Sequence, residues 1–170
     1  MQKKLLYIIF ISLIATQLQA YNYNPAPCIN NKNDLVNQEA LDRALLQAID
    51  KRDTRLAQEL LHEGANPNAR TDEFYSNSAL EEAIMAKNTI MVKLLIQKGA
   101  DTRTPNRFGD SPLLTALLFS SPAIIKLVLD TNPEMCIVNR DGQDAYDIAL
   151  LRNEPEILAW ITNAQSKDAS

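Results

Sequence analysis

His62 is the only histidine in the chain, and Cys28 and Cys136 are its only thiols. A Cys–His nucleophile pair would have to be drawn from these three, with a thiolate attacking and an imidazole carrying the proton. Spacing gives no support for such a pair, which is defined by geometry in space. His62 stands just before Gly64 and reads as a solvated residue at a helix C-terminus, where its cation is favoured. The metal-ligand spacings Cys-x-x-Cys and His-x-x-x-His are absent. The adjacent carboxylates Glu81 and Glu82 read as part of a partly solvated helix face. Only four glycines occur, and none forms a phosphate-cradling loop. The residues therefore predict no catalytic set, no cofactor and no metal. A hydrolase using Cys136 or Cys28 is the rival to test, and activity surviving Cys→Ser at both sites would exclude it.

With no chemistry in view, attention moves to the elements that would carry a surface. The 170 residues suit one domain, and 46% apolar content is ordinary for a globular chain. Lys3 and Lys4 precede an apolar run from Leu5 to Ala15, broken only by Ser12. Leu18-Gln19-Ala20 closes it with a small residue, the pattern of a secretory signal peptide over 1–20. An uncleaved anchor is the other reading, but the run is short of the roughly 20 residues that span a bilayer. Cleavage after Ala20 removes two lysines and leaves 15 basic residues against 21 acidic, a net charge of −6. That balance argues against nucleic acid and against anionic membrane surfaces. Residues 21–34 are asparagine-rich, contain Pro25 and Pro27, and show no apolar period, so a flexible arm is expected. Cys28 lies eight residues past the expected cleavage and is a poor lipid-attachment site.

Ala83, Ala116 and Ala149 stand 33 residues apart, and Ala48 precedes them by 35. A fixed period of this size is the mark of a solenoid of stacked supersecondary units. Ser111 can cap a helix with Pro112 at its first position. Ser78-Ala79-Leu80 and Asp144-Ala145-Tyr146 hold the same place one unit either side, and Arg43-Ala44-Leu45 holds it in a first helix capped earlier, at Asp34. A second apolar stripe follows in each unit, such as Met91-Val92 with Leu94-Leu95-Ile96. Pro122 and Pro155 match in register at the start of those second helices. Gly64 and Gly99 mark their ends, where a left-handed residue is needed, and Asn132 replaces them in the third unit.

These residues resemble the ankyrin repeat. Gly109-Asp110-Ser111-Pro112-Leu113-Leu114-Thr115-Ala116 looks like the family's Gly-x-Thr-Pro-Leu-His-x-Ala, and Gly64-Ala65-Asn66-Pro67-Asn68-Ala69 like its turn. The resemblance covers roughly Leu41 to Ile161. It implies an all-α solenoid of about four helix-turn-helix units with β-turn fingers, over 35–163. The units run over about 35–72, 73–106, 107–139 and 140–163, with 164–170 as a tail. The pattern departs in two places. The motif histidine is Leu46, Glu81, Leu114 and Asp147, and the glycine that ends each first helix is Arg52, Lys87, Ser120 and Asn153. Those turns are expected to be strained or differently closed. Two extra residues near Asp72–Asn77 account for the 35-residue interval.

The resemblance implies a concave face that binds a protein partner; a monomer is expected, and the charge balance argues against nucleic acid and membrane contact after cleavage. Finger tips are the expected contacts: Arg70, Phe74, Tyr75, Arg107, Phe108 and Arg140, since aromatics and arginines enrich hot spots. Glu81, Met85, Leu114, Leu118 and Phe119 are candidates for the groove side of the inner helices, some of them core. Leu80, Ala83, Leu113, Ala116, Tyr146, Ala149 and Trp160 are expected to pack. With layers roughly 8–10 Å apart, Cys28 and Cys136 are separated by about 20–30 Å, which the arm to Leu35 can span if stretched to about 25 Å. An internal disulfide is thus reachable, with two free thiols as the alternative. The expected role is an exported binding module, periplasmic or secreted. The rivals are a structural or protective periplasmic factor for an exported enzyme, and a secreted effector.

Overall fold

The structure, a computed structural model, describes residues 32–71 and 76–168. The expected signal segment, residues 21–31 of the expected arm with Cys28, and the finger residues Phe74 and Tyr75 lie outside the described residues, while residues 32–34, expected as part of that flexible arm, are helical. Eight helices are described: α1 Lys32–Asp50, α2 Thr54–His62, α3 Ala79–Met85, α4 Thr89–Gln97, α5 Pro112–Phe119, α6 Pro122–Leu129, α7 Ala145–Arg152 and α8 Pro155–Asp168. Among the described residues there is no strand; one isolated antiparallel bridge, Arg70 with Ser78, closes the base of the first finger.

Odd-numbered helices form an inner row and even-numbered helices an outer row. Neighbours in the inner row are in more extensive contact than those in the outer row, so the stack bends toward the inner side. The beat of alanines explains how they come so close. Ala48, Ala83, Ala116 and Ala149 are all buried, and a methyl group at each contact lets the backbones approach. Around them Leu45, Ile49, Leu80, Ile84, Leu113, Leu117, Ile124, Ile125 and Ile148 fill one continuous core. No unit could bury these faces alone.

The helices after α1 start with devices readable in the sequence. Ser78 and Glu81 form a reciprocal capping box on α3, and Asp144 and Asp147 repeat it on α7. Ser111 accepts from the Leu114 amide at 3.3 Å, with Pro112 in the first turn. On the outer row Asp53 and Asn88 cap α2 and α4, while α6 has Pro122 in its first turn and no side-chain cap bond. Asp34 is not the cap of α1, because the helix already includes Lys32 and Asn33. At the other extreme, α8 continues to Asp168, past the expected end of the repeats at 163.

Helix ends follow the expected left-handed pattern with one exception. Gly64 and Gly99 have φ of 104° and 86°, and Asn132 takes their place at 51°. The inner-helix turns use Arg52, Lys87 and Asn153 at 57°, 54° and 54°, the strained geometry expected of residues with a Cβ. Ser120 breaks the series with an extended backbone, φ −117° and ψ −178°. The following Ser121 is extended as well, as a residue before proline prefers, and Ser120 Oγ instead donates to the Ile84 carbonyl at 3.3 Å.

Candidate partner-binding surface

The fingers are built by asparagines that fold the chain back on itself. Asn106 Oδ1 accepts from the amides of Phe108 at 2.8 Å and Asp110 at 3.2 Å. Asn139, 33 residues later, does the same for Asp141 and Gln143, each at 3.0 Å. Gly109 and Gly142 take positive φ within these loops, and a Cβ on Gly109 would meet the Val138 carbonyl oxygen at 3.3 Å. Adjacent fingers are stitched together. Asn68 Oδ1 accepts from the Asp101 amide at 2.6 Å, and the first finger is tied to α1 where Asp42 Oδ1 accepts from the Asn66 amide at 2.7 Å. The sequence reading missed Asn106 and Asn139; their common spacing from Gly109 and Gly142 was the available signal.

At the second and third tips three expected contact residues come together. The Arg140 guanidinium lies 4.3 Å from the centre of the Phe108 ring and donates to the Arg107 carbonyl at 2.7 Å. Phe108 is half-buried beneath it, and Arg107 and Arg140 are exposed. Arg70 is separate from this cluster. Its guanidinium donates to the Ser76 carbonyl at 2.8 Å, bracing the base of the first finger. Cys136 is an exposed thiol on the third finger.

The groove candidates divide. Met85, Leu118 and Phe119 are exposed on the inner helices. Glu81 and Leu114 are not groove residues: both point into the stack and are buried. Glu81 Oε2 accepts from the Ser78 amide at 2.7 Å, while Oε1 has no hydrogen-bond partner. Burial raises its pKa above the ordinary carboxyl value, against the opposing hydrogen bonds from Ser78 and the Arg70 charge. Asp110 is raised too, by burial first and then by Asp141. Tyr146 corrects the other group. It was expected to pack, yet it is one of the exposed large side chains, because no described element covers α7 on that side. Trp160 is partly buried against the core, with Lys126 Nζ 5.8 Å from its ring centre.

Leu151 completes a pattern. Met85, Leu118 and Leu151 are 33 residues apart, sit near the C-terminal ends of α3, α5 and α7, and are all exposed, with Phe119 beside them. In the first unit the equivalent residue is Asp50. The result is an apolar stripe across three inner helices. A cleft of about 210 Å³ lies elsewhere, between α6 and α8, lined by Lys126, Asn132 and Trp160 among others. It is smaller than the usual range for small-molecule sites. Among the described residues no cluster of three metal-capable side chains occurs. No described helix is long and apolar enough to cross a membrane.

Stacked helix pairs with projecting turns and an exposed inner row define a repeat solenoid. A family model for ankyrin repeats, in three copies, matches residues 45–141 and 80–169. The chain belongs to the ankyrin repeat family. Ankyrin repeats generally mediate protein–protein interaction and are typically non-catalytic. No curated protein matches the chain.

Proposed function

We propose that this chain is an exported protein-binding module whose partner sits on the inner, concave side of the stack, between the finger tips and the inner helices. The observation that carries this reading is the stripe of Met85, Leu118, Phe119 and Leu151, apolar side chains left in water across three of the four inner helices. Soluble chains seldom align exposed apolar side chains in register without a use for them. Arg107, Phe108 and Arg140 provide an arginine- and aromatic-rich edge at the tips, and Phe74 and Tyr75 belong to the same proposal. Export rests on the signal-like pattern of residues 1–20, and the compartment is periplasmic or extracellular.

The test combines two measurements. Cell fractionation should find the mature chain, beginning at Tyr21, outside the cytoplasm. Cross-linked pull-down should recover a partner with the wild type and lose it with Leu118→Lys or the triple change Phe74, Tyr75 and Phe108 to Ala. Equal recovery with both variants would remove this surface. An exposed Cys136 is compatible with a Cys28–Cys136 disulfide in an oxidising compartment. Two titratable thiols on unreduced, unfolded protein would end that pairing.

A further inference from the structure

The spacing of the apolar stripe restricts what can lie on it. Met85, Leu118 and Leu151 occupy one position in three successive units, so their separation is that of packed inner helices, roughly 8–10 Å per step. A partner must present apolar side chains on one face at that interval. A β-strand repeats a face every two residues, at about 6.6 Å and then about 13 Å, and misses the step both times. An α-helix repeats a face every seven residues, at about 10.5 Å, and a slight crossing angle brings this onto the row. A polyproline helix repeats every three residues at about 9.3 Å, but such segments dock in aromatic-lined grooves. Of the stripe residues only Phe119 is aromatic.

Charge points the same way to one kind of helix. The turns bordering the stripe carry Lys51, Arg52 and Lys87, all exposed and in no ion pair among the described residues. Two acids of those turns are engaged, though Asp53 keeps its charge. Asp53 accepts from the Leu56 amide, and Glu154 pairs with Arg152 at 2.6 Å. Asp50 is exposed and stands at the stripe position of the first unit, so the apolar row stops after three units. Along this edge Arg152 and Glu154 cancel, and Lys51, Arg52 and Lys87 outnumber Asp50 and Asp53, so the border of the stripe is positive although the chain as a whole is acidic.

We infer that the stripe is a docking groove for an acidic amphipathic helix carrying apolar residues at i, i+7 and i+14, with Asp and Glu beside them. This rests on the reading that the inner face binds protein, and it names the chemistry of that partner. Three apolar positions two turns apart seat on Met85, Leu118 with Phe119, and Leu151, and the flanking carboxylates meet Arg52 and Lys87.

The experiment uses the mature chain and labelled synthetic peptides of about 20 residues, long enough to be helix-competent, read by fluorescence anisotropy. One has leucines at i, i+7 and i+14 on a Glu-rich background. A second shifts them to i, i+5 and i+10, and a third places the first pattern on a Lys-rich background. A fourth is proline-rich with leucine at every third residue. The first should bind, weaken with added salt, and outbind each of the others by about tenfold or more. Leu118→Lys and Leu151→Lys should each abolish its binding, while Ile90→Lys, an exposed apolar change on α4, should leave it unchanged. Leu151 is the more exposed of the two, so its variant keeps the test valid if Leu118→Lys fails to fold. Equal binding of the shifted or Lys-rich peptide, stronger binding of the proline-rich one, or no effect of Leu151→Lys would overturn the inference. If Leu118→Lys loses a cross-linked partner while no peptide binds, the helix is wrong and the binding face stands.

Discussion

The second and third units and the fourth place the same kind of residue in the same seats with opposite results. Leu80 and Leu113 are fully buried, while Tyr146, in the equivalent seat, is 37% exposed. Ile84 and Leu117 are likewise fully buried, and their counterpart Leu150 is 48% exposed. The local helix is no worse in the fourth unit, since α7 has a capping box like that of α3. What differs is the neighbour. α5 lies over α3 and α7 lies over α5, and among the described residues nothing lies over α7 on its far side. In a solenoid burial is therefore a property of position in the stack, and residue type only makes it possible.

The largest effect that could break this contrast is a core truncation. Leu113→Ala should cost about 2–5 kcal/mol, whereas Tyr146→Ala should cost less than about 1 kcal/mol. Urea titration of both variants measures the difference, and equal losses would mean that α7 is covered in solution. A second contrast lies in the turns. Lys87→Gly should gain about 1 kcal/mol by relieving a left-handed Cβ, and Asn153→Gly rather less. Ser120→Gly should instead lose about 0.5–1 kcal/mol, because its backbone is extended and its hydroxyl bonds to Ile84. A gain at Ser120 would show that the third turn closes like the others.

Glu81 and Leu114 share one seat in adjacent units, and pH separates them. Burial holds the folded pKa of Glu81 above its unfolded value, so the folded chain binds that proton more tightly than the unfolded chain does. The stabilising contribution of the proton is complete below the ordinary carboxyl range and is lost as pH rises through the folded value. Glu81→Gln keeps the capping box and has no charge to bury. It should melt higher than the wild type near pH 7, and the gap should close on acidification to about pH 4. A gap that widened with acid would contradict this assignment. The smallest effect belongs to the fingers. Arg140→Ala, removing an exposed stacking contact on Phe108, should cost about 0.5 kcal/mol and leave the core units untouched.

Much of the architecture was legible because repetition amplifies weak local signals. Gly64, Gly99 and Asn132 were readable as left-handed ends, since few residue types take that conformation. Pro122 and Pro155 were readable as helix starts from their missing amide. The candidate surface was less legible. Arg107, Phe108 and Arg140 do meet at the tips, but Arg70 is drawn to Ser76, a pairing fixed by the finger's own closure. Leu114 and Leu118 are both leucines on α5, and only the angular position of each relative to α3 and α7 decides that one is core and the other is exposed.

The sequence by itself determined the period, the caps, the left-handed ends and the family, because each depends on local backbone chemistry repeated in register. Only the tertiary structure decided which apolar residues stay in water. Side-chain exposure depends on which helix lies over which, and that is not encoded in any single unit. In the stripe, Met85 and Leu118 were among the expected groove residues and Leu151 was not; all three stay in water because the inner row turns its helix ends to solvent.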